Sequence, residues 1–138
     1  MNSYERIKSE VFRENLEDDD CGVIAAMAVT GLSYEETREL LAPIFRATAS
    51  GRGLYRSDLN ALLRTHGWIV QEVEVPYNLT VAMVPDRFTD GHYLIGCPGH
   101  LMACVNGELF NSRSKWGAPV DGIAHVSGGE QATRSKRV

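Results

Sequence analysis

The chain has three cysteines and four histidines, and these are the side chains from which nucleophilic or metal chemistry would have to come. Cys21 stands where an acidic run, Glu17-Asp18-Asp19-Asp20, gives way to the apolar stretch Gly22 to Val29. A thiol at that boundary opens a buried helix and faces unpaired backbone N–H groups. Such placement favours the thiolate and lowers a cysteine pKa from about 8.5 into the range of roughly 3.5 to 7.5. The acidic run works against ionisation, because carboxylates disfavour a neighbouring thiolate. The competing reading of an isolated cysteine is a core residue.

Hairpin register supplies a partner for that thiol. Asn106-Gly107 is the strongest short hairpin signal there is. A two-residue loop at that point pairs Val105 with Glu108, Cys104 with Leu109, Ala103 with Phe110 and Met102 with Asn111. His100, two residues before Met102, shares that face and lies diagonal to Asn111, at a backbone separation of roughly 7 Å that an imidazole and a carboxamide can close. An amide oxygen accepting from the imidazole N–H holds its tautomer and leaves the other nitrogen for the thiol proton. Cys21, His100 and Asn111 thus form a candidate nucleophile, base and orienter. Taken singly, His100 reads as a strand-end histidine and Asn111 as a turn residue. Asp121 is a second candidate orienter, with no register argument to place it.

A metal site built from His92, Cys97, His100 and Cys104 is disfavoured by spacing. Along an extended strand His100 and Cys104 stand about 13 Å apart, too far for ligands that sit at roughly 2.0 to 2.3 Å from one zinc. Cys97, beside a Pro-Gly turn, and Cys104, alternating with core positions, read as structural. His66 precedes Gly67 at a helix end and reads as a cap, and no role is assigned to His125. Gly51-Arg52-Gly53 lacks the Lys and hydroxyl residue of a phosphate loop.

These residues must be positioned by elements that the hydrophobic pattern predicts. Tyr4, Ile7, Val11 and Phe12 recur at helical spacing over residues 3–15. Cys21 to Val29 is apolar all round, and three Ala and a Met favour helix, ended by Gly31. Ser33 and Glu36 make a capping box for a helix to about Phe45. Ser57 is the expected cap of a third helix, with Leu59, Leu62 and Leu63 on one face and Gly67 as the stop. An alternating strand follows from Trp68 to Val75. Between Leu79 and Phe88 Thr80 can cap one short turn, and Pro85 forbids a long helix. Strands are expected at Tyr93 to Ile95, His100 to Val105 and Glu108 to Asn111. From Ser112 onward the pattern fades, and residues 127–138 are expected to form a flexible tail. Helices first and a mostly antiparallel sheet later is an α+β order.

At 138 residues with 43% hydrophobic and 23% charged residues, the chain suits one compact domain with its own core. Fourteen Lys and Arg against eighteen Asp and Glu give a net charge of −4, which disfavours a nucleic-acid partner. No apolar run approaches the roughly 20 residues of a membrane span, and residues 1–10 lack the pattern of a signal peptide. An odd, sparse set of cysteines is unlike the paired frameworks of secreted domains. The expected setting is therefore cytoplasmic, with no membrane partner.

Asn15-Leu16-Glu17-Asp18-Asp19-Asp20-Cys21-Gly22, Gly99-His100-Leu101-Met102-Ala103 and Asn106 to Asn111 together resemble papain-like cysteine peptidases in their compact bacterial form. The likeness is greatest to the domains that remove double-glycine leaders from bacteriocins, and to small phage or bacterial relatives. The resemblance implies a papain-like α+β fold over residues 1–126, in which a central helix led by Cys21 packs on an antiparallel sheet that presents His100 and Asn111. It also implies a thiol peptidase acting on a protein or peptide substrate, with no cofactor and no metal. Asn15 holds the place of the Gln that contributes to the oxyanion hole in the leader peptidases. It is one methylene shorter, and losing one such donor costs about a hundredfold or more in rate. Asn111 stands where many leader peptidases carry Asp, although papain itself uses Asn. Two alternatives share the architecture: a glutamine deamidase or transglutaminase-type enzyme, and an inactive papain-like binding protein.

Overall fold

The computed structural model describes residues 21–47, 56–98, 100–110 and 117–128. The expected helix over residues 3–15, the Gly51 to Gly53 loop, and the tail from residue 129 lie outside them. The first described helix, α1 (Cys21–Thr30), is apolar on every side, and Val23 to Met27 are at most 3% exposed. A helix without a polar stripe has to be enclosed on all sides. Its end is capped from within. Gly31, at φ +75°, donates to the Met27 carbonyl at 2.9 Å, and Thr30 Oγ1 donates to the Ala26 carbonyl at 2.6 Å while accepting from Leu32 N at 3.2 Å. These bonds occupy end groups that a helix otherwise leaves open.

Helix α2 (Tyr34–Ala47) opens with the expected capping box: Glu36 N donates to Ser33 Oγ at 3.1 Å and Ser33 N donates to Glu36 Oε1 at 3.0 Å. Substituting Ser33→Ala removes one of the two bonds and is expected to lower stability by about 1 kcal/mol. The check is urea unfolding, where an unchanged midpoint would mean that the box contributes nothing. Helix α3 (Arg56–Thr65) begins one residue before the expected cap, so Ser57 sits inside the first turn. Leu59, Asn60 and Leu63 are its buried residues. Gly67, at φ +97°, turns the chain into strand β1 (Ile69–Val73), shorter at both ends than the expected strand.

Thr80 leads into a 3-10 turn, Val81–Met83, without a side-chain cap bond, and Pro85 sits in the first turn of the short helix α4 (Val84–Arg87). Strands β2 (His92–Cys97), β3 (His100–Val105) and β4 (Glu108–Phe110) follow as two hairpins. Asn106 and Gly107 both have positive φ, 49° and 82°, as a mirror-image hairpin turn requires. The three pairs Val105 with Glu108, Cys104 with Leu109 and Ala103 with Phe110 form in the expected register.

The C-terminal end differs from expectation. Gly122–Ser127, where no element was expected, is strand β5, and it takes Ser127 from the expected tail. It lies between β1 and β2 in a five-stranded sheet of order β1-β5-β2-β3-β4, with every neighbouring pair antiparallel. The fold is α+β. Val70, Leu94, Leu101, Ala103, Phe110, Ala124 and Val126 on one face form a core with α1, α2 and α3. Ile95, Cys97, Met102, Cys104 and Ile123 on the other face pack under Leu79, Val81, Val84 and Val120. Among the described residues no helix is long and apolar enough to cross a membrane.

Candidate functional site

The direction of α1 decides where Cys21 sits. His92 Nδ1–H donates to the Val29 carbonyl at 2.9 Å, the protonated nitrogen being assigned because a carbonyl only accepts. His92 pairs with Val105, the last residue of β3. The C-terminal end of α1 is therefore held at the C-terminal end of β3. α1 packs chiefly on β3, with lesser contact to β2 and β4. Its ten residues span about 15 Å, against about 20 Å for a six-residue strand. A helix that keeps to β3 over this length runs in the strand's direction, which sets its Cys21 end toward the end of the sheet where His100 begins β3.

His100 is 8% exposed and pairs with Cys97 across the β2–β3 turn. Alternation along β3 sets it with Met102 and Cys104, whereas α1 covers Leu101 and Ala103. An imidazole that is to meet a thiol on the helix side has to reach around the end of the strand, and the first residue after a turn is the position from which it can do so. The Cys21 side chain, Asn111 and Asn15 lie outside the described residues. The register places Ala103 opposite Phe110, one step short of the Met102 and Asn111 pair.

The other two cysteines are buried, Cys97 at 4% and Cys104 at 0% exposure. Burial pushes the Cys104 thiol up to about 11, and a hydrogen bond from the Gly107 backbone offsets only part of that. Its Sγ donates to the Phe88 carbonyl at 3.7 Å. A thiol this hard to ionise behaves as a small apolar group. His92 stands on the helix face of the sheet and is bonded to Val29, while Cys97, His100 and Cys104 stand on the other face.

A polar cluster that sequence reading missed lies at the same end of the sheet as His100. Arg56 Nη1, at the start of α3, donates to both oxygens of Glu72 at 2.7 Å. Asn60 Nδ2 donates to Glu72 Oε1 at 3.1 Å. The guanidinium lies over Gly96 and Gly122, which pair across β2 and β5. A Cβ on Gly122 would collide with Arg56 Nη2, so the guanidinium can lie there only because that residue has no side chain. Asp121 Oδ1 borders the same floor, 3.0 Å from the Cβ position of Gly96. The available signal was Gly96, next to the expected strand Tyr93 to Ile95, because a glycine in a strand marks close approach of another group. The chain matches no family model, no curated protein and no solved structure.

Proposed function

We propose that the protein is a papain-like thiol hydrolase that cleaves peptide bonds. The observation that carries this reading is the shared direction of α1 and β3, with the Val29 end tied to His92. A helix that keeps to β3 along its length has its start, which Cys21 opens, toward the start of the strand that His100 opens, and this supports the reading. In the proposed reaction the Cys21 thiolate attacks the substrate carbonyl carbon, its proton having passed to His100. His100 then protonates the leaving amine, and water taken up with His100 as base hydrolyses the thioester. Asn111 orients the imidazole. Asn15 and the Cys21 backbone N–H donate to the oxyanion. No cofactor takes part in these steps.

The test is mass spectrometry of peptide and protein mixtures treated with the wild-type chain and with Cys21→Ser. Fragments that appear only with wild type support peptide hydrolysis. A gain of about one dalton with the backbone intact would transfer the same machinery to a glutamine carboxamide. A second reading, an inactive papain-like binding protein, is favoured by the alternation that sets His100 on the face away from α1. It predicts no product of either kind and no dependence on Cys21.

A further inference from the structure

We propose that Arg56 and Asp121 form a subsite for a neutral amide, the peptide or carboxamide group of a substrate, on the floor made by Gly96 and Gly122. The guanidinium carries five N–H donors. Nη1 is spent on Glu72, and Asn60 holds that carboxylate from behind. The edge formed by Nε and Nη2 has no acceptor among the described residues. That edge is the fork with which arginine grips an oxygen ligand in a plane.

Asp121 is exposed, and its backbone N–H is committed to the Gly96 carbonyl at 2.9 Å. Its carboxylate Oδ1 and Arg56 Nε stand on either side of the empty Cβ position of Gly96, at 3.0 Å and 3.4 Å from it, without forming an ion pair with each other. A donor edge and an acceptor are thus held apart over a bare strand.

Charge selects among the groups that could bridge them. One guanidinium against Glu72 and Asp121 leaves a net negative site, so a carboxylate or phosphate is repelled by two neighbours for the one that attracts it. A cation offers no acceptor to Nε and Nη2 and would leave that donor edge unsatisfied. A neutral amide offers its carbonyl oxygen to Nε and Nη2 and its N–H to Asp121, and satisfies both. The Arg56 side chain is 24% exposed, so the fork can be reached while its water competition is reduced. The placement beside the starts of α1 and β3 makes this group part of the substrate only if the thiol hydrolase reading holds; binding itself does not depend on it.

The experiment therefore measures binding, in the Cys21→Ser variant, by following the arginine Nε–H resonances in nitrogen-15 NMR spectra. The Arg56 signal is assigned as the one lost in Arg56→Lys. Titration with N-acetylglycine N-methylamide is expected to move that signal, and sodium acetate to leave it unmoved. Asp121→Ala is expected to weaken the amide response about tenfold, the loss of one charge-assisted hydrogen bond. Gly122→Ala, whose new methyl takes the guanidinium's place, is expected to abolish it. If Gly122→Ala does not fold, Asp121→Ala and the acetate comparison still decide. An Arg56 signal unmoved by the amide, or moved as far by acetate, overturns the proposal. A moved signal alongside an inert Cys21 would keep the subsite and remove the hydrolase.

Discussion

Iodoacetamide at neutral pH is expected to modify Cys21 about a hundredfold faster than Cys104, and substitution of His100→Ala is expected to slow Cys21 about three- to fivefold. The magnitude follows from ionisation and nucleophilicity together. A thiol pushed up to about 11 is ionised to roughly one part in ten thousand at pH 7. An activated cysteine with a pKa of about 7 is half ionised. The thiolate ratio of about five thousand is cut back because the less acidic thiolate is the better nucleophile, by a Brønsted slope of roughly 0.4 to 0.5 over four pKa units, which leaves about a hundredfold. Burial of Cys104 widens the gap further, so the comparison of cysteines alone does not isolate activation.

The His100→Ala variant does isolate it. Without an imidazole partner Cys21 returns toward the ordinary pKa of about 8.5, which by the same arithmetic slows labelling about three- to fivefold. Site-resolved mass spectrometry over a time course reads both quantities. A Cys21 rate that is indifferent to His100 would sink the paired thiol and leave the binding reading standing.

What was legible in the sequence was what short-range chemistry decides. The Ser33 and Glu36 box, the Asn106-Gly107 turn and the end of α1 at Gly31 each depend on residues within a few positions of one another. Strand β5 was not legible because nothing near it declares it. Its partners, β1 and β2, are far off in sequence. Ile123 faces one core and Ala124 and Val126 the other, so the contrast of apolar and polar that marks a half-buried strand is missing. Arg56 was invisible for the same reason, since its meaning comes from Gly122 on that strand.

The candidate site divides along the same line. The types and spacing of Cys21, His100 and Asn111 stood out, and so did the face that His100 shares with Met102. Which face the helix covers did not. Leu101, Ala103 and Phe110 are as apolar as Met102 and Cys104, so hydrophobicity along β3 cannot say on which side α1 lies. The packing of small side chains decides it: Ala25 and Ala26 of α1 and Ala103 of β3, the strand on which α1 chiefly packs, are all 0% exposed. Small side chains on both partners let helix and sheet approach closely.

That close approach puts the largest stability effect on a bulky residue set between two alanines. Leu94 on β2 is 0% exposed and is flanked on its face by Ala103 on one side and Ala124 on the other. Neither neighbour can extend into the space a truncation would leave, so Leu94→Ala is expected to cost near the upper end of the about 2–5 kcal/mol range for such changes. Ile95, equally buried on the other face, is flanked by Met102 and Ile123. The flexible thioether can relax into part of the void, so Ile95→Ala is expected to cost about 1 kcal/mol less than Leu94→Ala. Ile69 on β1 shares the face of Ile95 but is 57% exposed, and Ile69→Ala is expected to change stability by no more than about 0.5 kcal/mol. Urea midpoints of the three variants, at constant slope, give the order Leu94, Ile95, Ile69. If Ile95→Ala proved as mild as Ile69→Ala, the layer of Leu79, Val81, Val84 and Val120 would not be closing that face. His100, which stands on the same side, would then be open to solvent and no longer enclosed at the end of its strand.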